Sequence, residues 1–105
     1  MLLEIRLYKT KAGCREQFIE FFERKALPTQ EDFGIKILGQ FRAVEDADTF
    51  VWLRAYEDAA ERERLRTAFY DSKVWHETLE AEAFSLLEDY SNVILVEPTA
   101  RSSIR

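Results

Sequence analysis

Residues 50–56, Phe-Val-Trp-Leu-Arg-Ala-Tyr, constrain the fold most, because they predict a strand whose two faces have very different chemistry. Successive side chains of a strand point to opposite faces. One face is small and aliphatic, which suits packing under helices. The other face carries three aromatic rings and a guanidinium: Phe50, Trp52, Arg54 and Tyr56. A solvated face rarely holds so much aromatic surface, and a sealed core takes an arginine only with a partner. We therefore expect this face to line a cavity or an interface.

The 105 residues fit one domain, which we place at residues 1–98, followed by a C-terminal tail at 99–105. A formal net charge of -5, with the charges interspersed, argues against nucleic acid or a membrane surface as a partner. Cys14 is the only cysteine, so the chain has neither an intrachain disulfide nor a cysteine cluster for zinc. We find no pattern of a signal peptide or a transmembrane helix, and we expect a cytoplasmic location.

The order of the predicted elements is β-α-β-β-α-α-β. Besides 50–56, strands are predicted near 3–8, 35–44 and 91–96, with Gly39 marking a bulge or a close backbone approach. Helices are predicted near 16–27, 58–70 and 73–89. The polar residues 45–48 predict a hairpin between the second and third strands. The order indicates a ferredoxin-like α+β fold, with a four-stranded antiparallel sheet covered by helices on one face.

One of the two faces of this predicted sheet would be exposed to water in a monomer. The open face is expected to carry Tyr8, Phe50, Trp52 and Tyr56, and exposed aromatic surface on that scale marks an interface. A two-fold homodimer, in which two sheets face each other across a shared interior, would cover it.

Four short motifs follow each other along the chain: Glu4 to Tyr8, Lys25 to Pro28, Leu38 to Phe41, and Trp52 to Asp58 running into Glu61 and Arg62. In their order and spacing they resemble the NIPSNAP family of the dimeric α/β-barrel superfamily. The resemblance implies a homodimeric α/β barrel with one pocket per subunit, and it implies no particular activity. Related branches include cofactor-independent monooxygenases, isomerases, haem enzymes and plain binding proteins. Lys25 is a departure, since many family members have histidine there.

A polar group of side chains is expected where the first and third strands lie side by side. Glu4, Arg6 and Tyr8 share one face of the first strand, and Arg54 and Tyr56 should lie beside them. Arg6 or Arg54 would hold a carboxylate or enolate oxygen, and Tyr8 or Tyr56 would donate a hydrogen bond. Glu4 would act as a base if burial raised its pKa. The alternative is a Glu–Arg network that only stabilises the pocket or the dimer.

The remaining candidates carry weaker signals. Trp52 and Phe50 would form the apolar wall of a pocket for a flat ligand, or else pack in the dimer core. His76, the only histidine, is expected at the surface beside Trp75, with axial haem ligation as an alternative. Scattered acids and one histidine predict no metal site, and we expect no cofactor. The charged residues 57–66 are most simply a solvated helix face.

Two classes of function therefore stay open. One is an enzyme-like or binding pocket for a small, flat, anionic organic molecule, with oxygenation or isomerisation as the chemistry. The other is a non-catalytic interaction protein, in which the same residues form only the dimer interior. A pocket requires concave volume beside Trp52 and Arg54, whereas an interface core does not.

Overall fold

The computed structural model covers residues 1–105 and contains one four-stranded antiparallel sheet. The strands are β1 (Leu2–Thr10), β2 (Lys36–Arg42), β3 (Thr49–Tyr56) and β4 (Leu87–Val96), in the order β2-β3-β1-β4. The two central strands, β1 and β3, pair in continuous register from Leu2 opposite Tyr56 to Lys9 opposite Thr49. This arrangement confirms the predicted ferredoxin-like α+β fold.

The helical layer packs on one face of the sheet. Its elements are α1 (Arg15–Phe21), a first π-helix (Phe22–Ala26), α2 (Leu27–Asp32), α3 (Ala59–Tyr70), a second π-helix (Trp75–Leu79) and α4 (Glu80–Leu86). The side chain of Asp58 caps α3 by accepting from the Glu61 N–H at 2.8 Å, as its sequence pattern predicts. The helical segment predicted near 16–27 continues past Pro28 to Asp32, since proline is tolerated in the first turn of α2. No helix combines the length and the apolarity needed to cross a membrane.

The helices cover the opposite face of the sheet from the one that the sequence pattern predicts. The helices cover the polar and aromatic face, so Phe50, Trp52, Arg54 and Tyr56 are at most 2% exposed. The aliphatic face, expected under the helices, is open instead. The buried charge of Arg54 is paired, because Glu4 of β1 lies directly opposite it and supplies a carboxylate. These residues therefore lie inside one chain and not between two sheets.

Two features of the strands depend on tertiary pairing, namely a bulge within β2 and the start of β4. Gly39 lies at a bulge in β2, as predicted, because the pairing with β3 shifts between Ile37 and Gly39. β4 begins at Leu87, within the stretch predicted as helix, because Leu87 pairs with Thr10 of β1. Pairing of the backbone with a central strand outweighs the helical periodicity there.

Candidate functional site

A cavity of about 240 Å³ lies between the sheet and the helical layer. Most of its wall is apolar and aromatic: Phe18, Phe21, Phe22, Ala26, Trp75, Ala83, Phe84 and Leu87. Both π-helices contribute to this wall, through Phe22 and Ala26 and through Trp75. A π-helical turn displaces side chains relative to a regular helix and is frequent at functional sites. The wide turns thus shape the helical side of the cavity.

The predicted site residues divide into two groups. Trp52, Tyr8 and Arg6 line the cavity. The others do not line it: Phe50, Arg54, Tyr56 and Glu4 lie behind the wall. Phe50 packs edge-on against Phe18 and Phe22, with ring centroids 5.3 Å apart in both pairs. The residues behind the wall therefore support the three that line the cavity.

Glu4 is the centre of a buried ionic cluster. Its carboxylate accepts from Arg54 Nε at 2.6 Å, from Arg6 Nη2 at 2.9 Å and from Arg62 Nε at 3.0 Å. The Tyr56 hydroxyl donates to it at 3.0 Å. These are short, charge-assisted bonds, which hold both glutamate oxygens in place. The expected polar group of β1 and β3 therefore exists, enlarged by an arginine of α3.

Glu4 is not suited to act as a base. Burial alone would raise the pKa of its carboxyl, but the charges of Arg54 and Arg6 outweigh burial and hold the pKa far below its usual range. The raised pKa that the base hypothesis requires is thus absent. Burial also raises the pKa of Tyr56, whose proton is already committed to Glu4. Both side chains keep one protonation state near neutral pH.

Arg54 connects the ionic cluster to the helices and to the aromatic wall. Its Nη1 donates to Gln30 Oε1 of α2 at 2.8 Å and to the Tyr70 hydroxyl of α3 at 3.1 Å. Its guanidinium carbon lies 4.8 Å from the centre of the Trp52 ring. Arg54, expected to touch a ligand, instead fixes three residues that line the cavity.

Arg66, on α3, is a lining residue that the sequence interpretation placed on the solvated face. Its Nε lies 3.8 Å from Glu4 Oε2, too far for a hydrogen bond, and this buried nitrogen has no partner. Burial and the nearby charges of Arg6, Arg54 and Arg62 lower the pKa of its guanidinium. Four arginines thus lie within 4 Å of one carboxylate, so the cluster carries a surplus of positive charge, although Arg62 and Arg66 are partly exposed to water. An anion at Arg66 would relieve this repulsion.

The uncommitted polar groups of the wall are mainly donors. The Tyr8 oxygen accepts from Arg6 at 3.2 Å and the Tyr70 oxygen accepts from Arg54, which leaves both hydroxyl protons free to donate. The buried Nε of Arg6 and Nε1 of Trp52 have no acceptor. Burial raises the pKa of Tyr8, so its hydroxyl stays protonated. Buried donors without acceptors are unfavourable, and a ligand rich in acceptors would satisfy them.

Glu80 is the one carboxylate that lines the cavity, and it lies among helical residues. It accepts from Trp75 Nε1 at 3.2 Å, and it lies 3.5 Å from Nδ1 of His76, whose side chain is half exposed. Lys25 pairs with Glu82 at the surface, at 3.0 Å. No three histidine, cysteine or acidic side chains cluster as metal ligands would. His76 and Lys25 therefore lie outside the cavity wall.

The fold and the site define a ferredoxin-like α+β domain that encloses one aromatic cavity beside an arginine cluster. The chain belongs to the NIPSNAP family, whose model matches residues 3–102. The resemblance that the short motifs indicate is thereby confirmed. No curated protein matches the chain.

Solved structures show the same fold. An uncharacterised NIPSNAP domain protein from Burkholderia xenovorans is 20% identical, with 97% of this chain and 98% of that chain covered and a TM-score of 0.89. A NIPSNAP family protein of unknown function from Agrobacterium tumefaciens is 19% identical, with 100% and 94% covered and a TM-score of 0.91. A protein from Chloroflexus aurantiacus, proposed to be an antibiotic biosynthesis monooxygenase, is 12% identical, with 99% and 98% covered and a TM-score of 0.68.

Proposed function

We propose that the cavity binds a small, mainly apolar organic molecule that carries a negative charge. The observation that carries this proposal is the combination of uncommitted donors on the cavity wall and the surplus positive charge of the arginine cluster, two of whose members, Arg6 and Arg66, line the cavity. A neutral apolar ligand would leave the donors at Arg6, Trp52 and Arg66 unpaired. An anion accepts hydrogen bonds and also offsets the charge of the arginines.

The experiment compares matched anionic and neutral ligands by isothermal titration calorimetry at constant ionic strength. The pairs are benzoate with benzamide and hexanoate with hexanamide, and phenyl phosphate is a third anion. At least one acid is expected to bind ten-fold or more tightly than its amide, because hydrogen bonds to charged groups are roughly twice as strong as neutral ones. If neither acid binds more tightly than its amide and phenyl phosphate does not bind, the proposal is wrong.

Cofactor-independent oxygenation or isomerisation is the second candidate. The free Tyr8 hydroxyl beside Arg6 supports it, because such donors stabilise an oxyanion as it forms. Tyr56 and Arg54 are committed to Glu4, so the roles of proton donor and oxyanion donor fall to Tyr8 and Arg6. Oxygen uptake with 1-naphthol as a probe tests the oxygenation. Uptake above the buffer rate that is lost in Tyr8→Phe supports it. Wild-type uptake no faster than in buffer excludes oxygenation of this probe, and equal uptake above the buffer rate in both proteins excludes the role of Tyr8.

We also propose that the protein is a homodimer, through the aliphatic face of the sheet. Ile5 of β1 lies opposite Leu53 of β3 and Ile94 of β4 on that face, and Ile94 is 48% exposed. Phe41 of β2 is 53% exposed. A continuous apolar face of this kind indicates an interface. The cavity would then lie within each subunit, with the helices outside the paired sheets.

Sedimentation velocity tests the dimer with two matched variants. Ile5→Asp puts a charge in the centre of the aliphatic face, and Val44→Asp puts the same charge at a fully exposed loop position. Ile5→Asp is expected to be a monomer with an unchanged far-ultraviolet circular dichroism spectrum, whereas Val44→Asp keeps the mass of the dimer. A wild-type monomer at all concentrations would refute the proposal.

A further inference from the structure

We infer that the preferred ligand is a monocarboxylate with one aromatic ring, and that Arg66 is the residue that binds its carboxylate. The inference rests on the proposed binding of a small organic anion and goes further, since it names the chemical class of the ligand and the recognising residue. Three observations carry it: the uncommitted guanidinium of Arg66, the number and kind of the other donors on the cavity wall, and the size and composition of the apolar wall.

Arg66 differs from the other three arginines of the cluster. Arg6, Arg54 and Arg62 each donate to Glu4 at 3.0 Å or less. Arg66 makes no such bond, and its planar guanidinium lies over the Tyr70 ring with 5.5 Å between the guanidinium carbon and the ring centre. A guanidinium has five N–H donors in a fixed fork, which matches the two oxygens of one carboxylate. Arg66 thus lies over Tyr70 while its guanidinium has no hydrogen-bond partner within the protein and its Nε is buried.

The donors of the cavity wall that Arg66 shares favour a carboxylate over a phosphate. Apart from the fork of Arg66, the uncommitted donors are single groups: the hydroxyls of Tyr8 and Tyr70, Nε1 of Trp52 and Nε of Arg6. The residues that line the cavity lie inside strands and helices, and no glycine-rich loop is among them. A phosphate group brings three strongly hydrated oxygens and up to two charges. One fork and a few single donors suit the two oxygens of a carboxylate better.

The apolar wall favours an aromatic ring over an alkyl chain. An apolar cavity of about 150 Å³ holds benzene, so about 240 Å³ has room for one ring with a carboxylate. The walls present ring faces and edges, as in the Phe22–Trp52 pair at 4.8 Å and the Trp75–Phe84 pair at 5.9 Å. Such rings pack edge-on or offset against another ring, which adds to the energy of burial.

The experiment measures dissociation constants of benzoate, hexanoate and phenyl phosphate for the wild type, Arg66→Ala, Arg66→Lys and Arg64→Ala. Arg64 is the matched control, since it is an exposed arginine of the same helix. Benzoate is expected to bind at least ten-fold more tightly than hexanoate or phenyl phosphate. Arg66→Ala should weaken benzoate ten-fold or more, Arg66→Lys should weaken it by less, and Arg64→Ala should leave it unchanged. Circular dichroism checks that each variant is folded.

The outcomes separate this inference from the proposed function. If hexanoate or phenyl phosphate binds as tightly as benzoate, or if Arg66→Ala binds benzoate like the wild type, the inference is overturned while the anion-binding function stands. If no anion binds more tightly than its neutral counterpart, both are overturned. Should Arg66→Ala not fold, Arg66→Lys decides: unchanged benzoate affinity in this variant overturns the role of the planar fork.

Discussion

Replacing Glu4 by glutamine is the most direct test of the ionic cluster. The substitution keeps the size of the side chain but removes the one charge that offsets Arg6, Arg54 and Arg62. Glu4 and Arg54 are fully buried, and removal of one partner from a buried ion pair costs about 3–5 kcal/mol. For a domain of this size, each kcal/mol shifts the melting temperature by about 4–8 °C. We therefore expect the melting temperature to fall by more than about 10 °C.

Guanidinium chloride unfolding at a fixed protein concentration measures the loss. Glu82→Gln is the matched control, because its pair with Lys25 is exposed and worth at most about 1 kcal/mol. In the double variant Glu4→Gln/Arg54→Met, the total loss should be smaller than the sum of the single losses by about 0.5–3 kcal/mol, because one unpaired charge is removed with its partner. A loss below about 1 kcal/mol for Glu4→Gln would refute the central role of this carboxylate.

Three further predictions follow from local features. Because the pKa of Glu4 is lowered by folding, its stabilisation is complete above its unfolded pKa of about 4.3 and is lost as the pH falls below that value. Between pH 5 and 3, the free energy of unfolding should fall less steeply with pH for Glu4→Gln than for the wild type. Equal slopes in chemical unfolding would contradict the assignment of this acid sensitivity to Glu4. Gly34→Ala should destabilise the protein by about 1–3 kcal/mol, because Gly34 has a φ of +89°. Gly39→Ala displaces only the exposed Phe41 ring, so its loss of unfolding free energy, measured in urea, should be smaller. Lys25→Ala should change the unfolding free energy by at most about 1 kcal/mol and leave benzoate affinity unchanged by calorimetry, and a larger change in affinity would place Lys25 in the site.

The sheet could be predicted because its signals are local. Alternation marks β1 and β3, the polar residues 45–48 mark the hairpin, and Gly39 marks the bulge. The ferredoxin-like order of elements predicts that β1 and β3 are adjacent in the sheet. This adjacency correctly predicts that Glu4 lies beside Arg54. The residues of this polar group could therefore be named before their contacts were known.

The covered face could not be predicted from composition alone. An aliphatic face and a face with arginine and aromatic residues are both plausible under helices, provided that the charge has a partner. The deciding contacts are distant in sequence: Arg62 is 58 residues from Glu4, and Tyr70 is 16 residues from Arg54. One signal was present, since Arg62, Arg66 and Tyr70 follow each other at four-residue spacing and so share one side of α3. This spacing predicts that the three residues lie on the side of α3 that faces the sheet, and not on its solvated side.

The register between β1 and β3 connects the stability of the fold with the chemistry of the cavity. Antiparallel pairing sets Glu4 opposite Arg54 and Arg6 opposite Trp52, on the face that the helices cover. A slip by one residue would move every side chain of one strand to the other face and separate Glu4 from Arg54. The same pairing leaves Glu4 as the only carboxylate for four arginines, so correct folding itself creates the unsatisfied Arg66. A second carboxylate in the cluster would increase stability and remove the charge that a ligand anion requires. A single carboxylate among four arginines is thus the arrangement that anion binding at Arg66 requires.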